Sequence, residues 1–372
     1  MTKKKGKAKR RIKDWSQRFD AGIERDTSSR KQKVTDAAVK LPAWRAAEQQ
    51  NLDELPRIEG MVMVLFPGGA VVRHNRRKLL CGIAGTFRAP EGSSALAVGD
   101  IVTVANTHPV NQADVSGNSA DKDRADGMIM SRQTRLTALS RPQPTSGKHR
   151  DRYEDSFEKV IVANMDVLLI VASTCEPAMR HGLIERFLII AERGDLAPVL
   201  VINKTDLAPA NPQIIADLQG ANLAIIMCSA KSGEGIDRLR SELAGRSSVL
   251  AGASGVGKST LINALIPQAQ ARTATVRAKD LRGRHTTAAA TIYDLPNGGI
   301  IVDTPGIREL ALPLKVGELP WYFTEFQPFI NHCRFNDCTH THEPDCAVIH
   351  AVQQEKIPLR RYESYLKLLE SI

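Results

Sequence analysis

The chain has 372 residues and a formal net charge of +10, with 42% apolar and 25% charged residues. At roughly 150 residues per domain this length predicts two or three domains, and the globular composition excludes a wholly disordered chain. No run of residues reaches the ~18 apolar residues of a membrane span, and no apolar stretch follows the basic N-terminus. We therefore expect a cytoplasmic protein with no membrane partner, and the positive charge favours a polyanionic one.

Residues 1–56 are predicted to form a basic, mostly disordered tail. Eight lysines and arginines crowd residues 3–13, and the rest of the segment has too few apolar side chains to form a core. Two interpretations stay open. The tail is either an arm that binds nucleic-acid phosphates, each contact adding a salt-sensitive increment of affinity, or a solubilising extension.

Residues 57–140 are predicted to form a small β-barrel. Short alternating apolar runs predict strands at 61–65, 70–72, 79–81, 98–104 and 127–130. An OB-type barrel that binds RNA is the first candidate, and an SH3-like barrel without a ligand is the alternative. Polar residues 107–126 are predicted to be a mobile loop. Several basic residues on or beside the strands form either an RNA-facing patch or a solvated rim: Arg73, Arg76, Arg77, Lys78 and Arg88.

After a predicted linker at 141–155, strands and helices alternate over residues 156–312. This alternation predicts an α/β domain with a mostly parallel sheet covered by helices on both faces. Strands are predicted at 167–171, 198–202, 223–228, 248–251 and 299–302. Helices are predicted at 183–191, 212–218, 236–243 and 259–265.

The turn after the strand at 248–251 matches the phosphate-binding pattern G-x-x-x-x-G-K-[ST], in the expected strand–turn–helix context. The loop and the first helical residues after it are predicted to bind nucleotide phosphates: Gly252, Ala253, Ser254, Gly255, Val256, Gly257, Lys258, Ser259 and Thr260. Such a loop turns backbone N–H groups inward, and the helix N-terminus adds positive potential. We expect Lys258 to reach the β- and γ-phosphate oxygens and take part in catalysis, and the Ser259 hydroxyl to ligate Mg²⁺.

Three further motifs at strand ends identify the base and complete the phosphate site. The first is an N-K-x-D motif formed by Asn203, Lys204, Thr205 and Asp206. The Asp206 carboxylate can accept hydrogen bonds from guanine N1–H and its exocyclic amine, a donor pair that adenine lacks. Lys204 can lay its alkyl stem on the base. These features predict binding of GTP and GDP.

The second motif supplies a backbone N–H for the guanine O6 and consists of Ser229, Ala230 and Lys231. The third is a D-x-x-G motif, in which Asp303 is expected to hold the Mg²⁺ shell through water and the Gly306 N–H to meet the γ-phosphate. N-K-x-D precedes the phosphate loop here, whereas ordinary GTPases have the opposite order. The sequence therefore predicts a circularly permuted GTPase domain, whose D-x-x-G segment runs directly into a C-terminal extension.

That extension, residues 313–372, is predicted to be a mainly helical zinc-binding domain. Its spacing is Cys333-x₄-Cys338-x-His340-x₅-Cys346. Three thiolates and one imidazole complete a tetrahedral site without an open position, so we expect one structural Zn²⁺ per chain. His342 is an alternative to His340 as the fourth ligand.

The permuted order and the segments GASGVGKST, GRHTT, DTPGIRE and CRFNDCTHTHEPDCAV resemble the RsgA (YjeQ) family of bacterial GTPases over about residues 57–372. The resemblance implies an OB barrel, a permuted GTPase domain and a zinc domain. It also implies that the protein binds the small ribosomal subunit and its rRNA near the decoding region, late in the maturation of that subunit. A further implication is slow GTP hydrolysis that the subunit stimulates. We expect a monomer. The alternative function is that of a permuted GTPase that acts on another RNA or ribosomal client. The lengths of the tail and of the 107–126 loop depart from the family.

One departure from ordinary GTPases concerns hydrolysis. They place a glutamine after the D-x-x-G glycine to orient the attacking water, and Ile307 stands there instead. The resemblance implies that His285 is the catalytic residue, although it could merely contact RNA or pack within the first switch. Either Thr286 or Thr287 is expected to be the switch threonine on Mg²⁺.

Overall fold

The computed structural model describes residues 52–75, 77–87, 96–106, 125–142, 158–219, 223–266, 290–304, 307, 312, 314 and 316–372. Apart from residues 52–55 and 125, these belong to one compact unit, Pro56–His108 with Asp126–Ile372. Residues 1–51 of the predicted tail, 107–124 of the predicted loop and 143–155 of the predicted linker lie outside the described residues, as do Arg76 and Arg88. Among the described helices, none has the length and apolar character to span a membrane.

The first part of the unit is a closed barrel of five strands. They are β1 (Arg57–Phe66), β2 (Gly69–His74), β3 (Arg77–Ile83), β4 (Ile101–Asn106) and β5 (Gly127–Arg132). The strands close in the order β1-β2-β3-β5-β4, with β4 pairing back onto β1. Alternate residues of a strand face the same side, and Val102 and Val104 of β4 fill the interior together with Val62 and Val72. This order confirms the OB-type barrel.

Two strands that the sequence analysis did not predict join the barrel to the rest of the unit. β6 (Ala138–Pro142) and β7 (Glu158–Ala163) form an antiparallel pair. Beside them, the fully buried Asp100 carboxylate accepts two hydrogen bonds from Arg135, at 2.7 and 2.8 Å. The Asn164 amide donates to the Gly99 carbonyl at 3.0 Å. The junction between the barrel and the following sheet therefore contains a buried bidentate ion pair.

The central sheet carries the predicted motifs. Its strands are β8 (Val167–Ser173), β9 (Ala197–Asn203), β10 (Ala224–Met227), β11 (Ser247–Ala251), β12 (Thr291–Asp294) and β13 (Ile300–Asp303). They lie in the order β10-β9-β8-β11-β13-β12, all parallel except β12, which runs antiparallel to β13. The described helices of this part are α1 (His181–Arg193), α2 (Pro212–Gln219), α3 (Ile236–Glu242) and α4 (Lys258–Leu265).

Apolar side chains cover both faces of this sheet. Every residue of β8 is buried. Leu168 and Ile170 belong to the core on one face, whereas Leu169 and Val171 belong to the core on the other. A parallel strand buried on both faces is a continuous apolar run, which is the pattern that the sequence showed.

The C-terminal part packs on one of these faces. It contains a 3₁₀ segment, Val316–Tyr322, and three helices, α5 (Gln327–Ile330), α6 (Ala347–Gln353) and α7 (Leu359–Leu369). Phe323, Phe326 and the fully buried Tyr365 join the same core as Leu168 and Ile170 of the sheet. The face of α7 that carries Tyr365 therefore packs on the central sheet.

A network of charged side chains fixes α7 against α1. Glu185 on α1 is only 2% exposed and binds the guanidinium of Arg361 on α7. Arg361 also donates to both carboxylate oxygens of Glu325, at 2.8 and 3.2 Å, and lies 4.8 Å from the Phe323 ring centre. Because Glu185 is buried, its charge depends on Arg361 for compensation.

Replacing Arg361 by methionine should therefore destabilise the protein by about 3 kcal/mol, because it leaves a carboxylate buried without its cation. The measurement is the free energy of unfolding in urea. Arg334→Met is the matched control, since Arg334 pairs with Asp345 at 3.0 Å but both side chains are more than 60% exposed. Such a surface pair contributes at most about 1 kcal/mol. Equal losses in the two variants would contradict a structural role for the α1–α7 ion pair.

Candidate nucleotide site and metal centre

The predicted nucleotide motifs meet at one edge of the central sheet. Since the strands are parallel, the loops after β9, β10, β11 and β13 all leave the sheet at its carboxyl edge. The chain moves outward in one direction from β8 to β10 and in the other from β11 to β13. Ligands of open α/β sheets bind where the strand order reverses in this way, here between β8 and β11. The phosphate-loop motif follows β11 directly.

Asn203, at the end of β9, joins three of these loops. Its side chain is 2% exposed. The amide nitrogen donates to the Val256 carbonyl in the phosphate loop at 3.0 Å, and the amide oxygen accepts from the Ala230 N–H at 2.9 Å. One buried amide therefore fixes the N-K-x-D, S-A-K and phosphate loops relative to one another.

The phosphate loop, residues 252–259, has the backbone that its glycines allow. Gly257 has a φ of +95°, and a Cβ there would lie 2.4 Å from the Asn203 amide nitrogen. The Lys258 side chain is buried inside the loop, where its ammonium donates to the carbonyls of Gly252 at 2.7 Å and Ala253 at 2.6 Å. Ser259 and Thr260 follow at the start of α4 and are exposed. The loop thus presents a positive charge at its centre and a helix N-terminus at its end.

The aspartate of the N-K-x-D motif is held by the neighbouring loop. The Ser229 hydroxyl donates to one Asp206 carboxylate oxygen at 2.6 Å, and the same hydroxyl oxygen accepts from the Ser232 N–H at 3.1 Å. Asp206 is exposed, so its carboxylate, which has several lone pairs, can accept further hydrogen bonds from a base. Lys231 is exposed beside it, and the Thr205 hydroxyl is buried below.

The D-x-x-G motif begins at the end of β13, where Asp303 is half-buried and Thr304 is buried. Ile307 is 1% exposed and belongs to the core between the sheet and the C-terminal part. Its apolar side chain cannot orient water, and it faces the protein interior. Gly306, His285, Thr286 and Thr287 lie outside the described residues.

The sequence analysis missed one segment of this edge. Residues 174–177 follow β8 and touch both the guanine motif and the phosphate loop. The Thr174 hydroxyl donates to the Lys204 carbonyl at 2.8 Å, the Lys204 ammonium donates to the Glu176 carbonyl, and the Pro177 ring lies 3.4 Å from where a Cβ on Gly255 would be. Because the acceptors in these contacts are mainly backbone carbonyls, no sequence pattern predicts them.

The predicted metal ligands also come together. One ligand atom each from Cys333, Cys338, His340 and Cys346 lies within 4.8 Å of the others. The His340 Nδ1 atom is 3.5 Å from the Cys333 sulfur and 3.4 Å from the Cys346 sulfur. His342, the alternative ligand, is exposed and contacts the Thr341 hydroxyl instead. The structure therefore favours His340 over His342.

In the absence of a cation, burial favours the neutral forms of these side chains. Burial, with the neighbouring thiols Cys346 and Cys333, raises the pKa of the Cys338 thiol to about 12, and burial also raises that of Cys346. Burial lowers the pKa of His340, which keeps the imidazole neutral with a lone pair near pH 7. A cation bound by the sulfurs would supply the charge that stabilises the thiolates. The donor set matches the Cys₃His set of structural zinc sites.

Hydrogen bonds hold the loop that carries His340. The Tyr362 hydroxyl donates to the His340 carbonyl at 2.7 Å and the Tyr365 hydroxyl to the Thr339 carbonyl at 2.6 Å. The Glu343 carboxylate accepts from the N–H groups of Thr339 and Thr341 at 2.7 and 2.9 Å. Although burial raises the pKa of Glu343, these hydrogen bonds outweigh it and lower the pKa overall. Outer contacts of this kind orient metal ligands.

These features define a circularly permuted α/β GTPase fold with an OB-type barrel before it and a Cys/His cluster after it. A sequence profile of the RsgA GTPase family matches residues 133–313. The "Small ribosomal subunit biogenesis GTPase RsgA" of Chlorobaculum tepidum is 40% identical over 294 residues, 78% of this chain and 89% of that protein. The protein of the same name from Gemmatimonas aurantiaca is 39% identical over 285 residues, 76% of this chain and 86% of that protein. The chain therefore belongs to the RsgA GTPase family.

Solved structures share the fold. The crystal structure of YjeQ from Thermotoga maritima superposes with a TM-score of 0.59 at 29% identity, covering 85% of this chain and 98% of that chain. YloQ, described as a circularly permuted GTPase, has a TM-score of 0.56 at 24% identity, covering 85% of this chain and 94% of that chain.

Gly257→Ala should destabilise the protein more than Gly233→Ala, although both glycines have nearly the same φ, +95° and +91°. An alanine in this left-handed conformation costs about 1–2 kcal/mol at either position. At Gly233 a Cβ meets nothing within 4 Å, whereas at Gly257 it displaces the Asn203 amide. Losing the hydrogen bonds of that buried amide adds about 1–3 kcal/mol. The measurement is the free energy of unfolding in urea, and similar values for the two variants would show that Asn203 does not constrain the loop.

Proposed function

We propose that this protein is a GTP-hydrolysing assembly factor in late maturation of the small ribosomal subunit, and that it binds the rRNA of that subunit. The observation that carries the GTP assignment is the Asn203 amide, which joins the guanine motif to the phosphate loop at the reversal point of the sheet. The ribosomal assignment rests on family membership, because the curated relatives are named small ribosomal subunit biogenesis GTPases.

Each nucleotide group has a proposed partner. Guanine binds Asp206 through its N1–H and amine, while a backbone N–H of the Ser229–Ala230–Lys231 motif meets O6 and the Lys204 stem covers the base. The backbone of residues 252–257, with Thr260, surrounds the phosphates, and the Lys258 ammonium passes from its two loop carbonyls to the β- and γ-phosphate oxygens. Ser259, and Asp303 through water, would hold Mg²⁺, and the ion would supply positive charge beside those oxygens. Gly306 donates to the γ-phosphate.

Hydrolysis needs a group that orients water, and the buried Ile307 cannot supply one. His285 is the proposed catalytic residue and Thr286 or Thr287 the proposed Mg²⁺ ligand of the first switch. A GTPase that lacks full assistance turns over at roughly 10⁻⁴ to 10⁻² s⁻¹. Binding to a partner that positions the switch would lower the barrier by orientation.

The proposed organisation follows the sequence boundaries: a basic tail at 1–56, an RNA-binding barrel at 57–140, a linker at 141–155, a GTPase domain at 156–312 and a zinc domain at 313–372. Zn²⁺ bound by Cys333, Cys338, His340 and Cys346 would stabilise the last of these. The barrel and the net charge of +10 suit an rRNA partner. We propose a cytoplasmic monomer with no membrane partner.

Steady-state GTP hydrolysis should be slow for the protein alone and faster with purified small subunits, because a bound partner can position the water-orienting group. Large subunits and free RNA serve as controls, and His285→Ala is measured alongside with nucleotide binding determined separately. The variant should bind GTP normally and lose the stimulation. Stimulation by another partner but not by small subunits would favour the alternative, a permuted GTPase with a different client. Full stimulation of His285→Ala would remove the histidine from catalysis.

The protein should contain about one zinc ion per chain. Cys338→Ser should lower the zinc content and the melting temperature of the C-terminal part, because a metal bound only in the folded state contributes its binding energy to folding. Elemental analysis and calorimetry measure the two quantities. Cys175→Ser is the control, since Cys175 lies outside the cluster and should leave the zinc content unchanged. A stable preparation without zinc would contradict the metal site.

A further inference from the structure

The segment that follows β8 makes an unusual set of contacts with the guanine motif. Thr174 is the first residue after the strand, and its N–H donates to the Asn203 carbonyl at 3.1 Å. Its hydroxyl then donates to the next carbonyl, that of Lys204, at 2.8 Å. The Lys204 ammonium in turn donates to the carbonyl of Glu176 in the same segment. Lys204 is therefore held by its backbone and by its side-chain end.

Lys204 needs such support because of its backbone conformation. Its φ is +66°, in the left-handed region. A non-glycine residue there is destabilised by about 1–2 kcal/mol, and it persists only where surrounding contacts fix it. This turn ends β9 and directs the following residues, including Asp206, toward the Ser229 loop, where the Ser229 hydroxyl meets the Asp206 carboxylate. The conformation of Lys204 thus sets the direction of the guanine-binding side chains.

The Lys204 carbonyl has two donors. One is the Thr174 hydroxyl and the other is the Leu207 N–H, at 3.0 Å. The Leu207 N–H closes the turn within the motif itself. The Thr174 hydroxyl ties the turn to β8, which lies beside β11, the strand that precedes the phosphate loop. Removing the hydroxyl would leave the carbonyl paired and the turn folded, but the turn would lose its side-chain link to β8.

We propose that Thr174 is a positioning residue for nucleotide recognition, whose hydroxyl holds Lys204 in the conformation that receives the base. This inference rests on the proposed function, because it assumes that Lys204 and Asp206 bind guanine. The neighbouring Ser173 hydroxyl supports the segment from within, since it donates to the Pro177 carbonyl at 2.7 Å. This hydrogen bond closes the segment onto the end of β8, so that the segment can act as a support for Lys204.

The test compares Thr174→Val, which keeps the side-chain shape and removes the hydroxyl, with Thr174→Ser, which keeps the hydroxyl. Calorimetry measures the affinity for GDP, which uses both the base and the phosphate sites. Competition measures the affinity for inorganic pyrophosphate, which uses the phosphate loop alone. Thr174→Val should weaken GDP binding about two- to tenfold, the effect of one hydrogen bond. Its pyrophosphate affinity should be unchanged, and Thr174→Ser should restore GDP binding.

Thr137→Val is the matched control. The Thr137 hydroxyl also donates to a backbone carbonyl, that of Met165, at 2.7 Å, but this carbonyl precedes β8 at the end opposite to Thr174. It should leave the affinities for GDP and pyrophosphate unchanged. This variant separates the loss of one half-buried threonine hydrogen bond from a loss at the guanine motif.

The outcomes separate a failure of the proposed guanine site from a failure of the role of Thr174. If the wild-type protein does not prefer GDP over ADP, the proposed guanine site fails, and the role of Thr174 fails with it. If the wild type prefers GDP and Thr174→Val binds it equally well, the guanine site stands and the role of Thr174 is overturned. Equal losses for GDP and pyrophosphate in Thr174→Val, or the same loss of GDP affinity in Thr137→Val, would reduce the hydroxyl to a general structural contact.

Discussion

The nucleotide edge of this protein depends on one buried amide. Asn203 contacts the Val256 carbonyl on one side and the Ala230 N–H on the other, and it is almost fully excluded from solvent. An amide in that position has to satisfy both hydrogen bonds, because a buried polar group without a partner is strongly unfavourable. Three loops from three strands are consequently held in one geometry. The close approach of Gly257 to the same amide shows how little space is left around it.

The permuted order does not disturb this arrangement, because the amide connects strands that are neighbours in space. β9 lies beside β8 and β8 beside β11, whatever their order along the chain. What the permutation changes is the surroundings of the site. The strand β8 now comes directly after the barrel junction, and the D-x-x-G segment is followed by the C-terminal part. Both parts that flank the sheet are therefore attached through elements that carry or adjoin nucleotide motifs.

The sequence predicted the fold where a continuous apolar run or a short motif marked an element. The apolar run at 198–202 corresponds to β9, Ala197–Asn203, and the motifs lie at strand ends as their chemistry requires. β6 and β12 were missed because they are short, at five and four residues, and carry only two consecutive apolar side chains each. β7 has a longer apolar run, Val160–Ala163, but it too is short, at six residues. The cysteine spacing predicted the metal cluster but left His340 and His342 open. Only the fold of the loop, which exposes His342 and buries His340, distinguishes them.

Long-range contacts were beyond prediction for a different reason. Glu185 and Arg361 are 176 positions apart, and nothing in either helix identifies the other as its partner. Thr174 lies in a segment without a motif, and its hydroxyl donates to a backbone carbonyl, a group that every residue has. A sequence records which side chains can donate or accept, but the choice of partner follows from which strand ends the sheet places together.

The two buried ion pairs share a physical role. Asp100–Arg135 lies at the barrel junction and Glu185–Arg361 at the contact of the C-terminal part with α1. Buried ion pairs add little net stability compared with apolar packing, since desolvation offsets their attraction, but they tolerate few alternative geometries. Arg135 of the first pair precedes β6, which pairs with β7. Glu185 of the second pair lies on α1. The segment that contains Thr174 connects β8 to α1, so one of its ends belongs to the helix that the Glu185–Arg361 pair holds. The support under Lys204 is therefore linked through α1 to the packing of the C-terminal part.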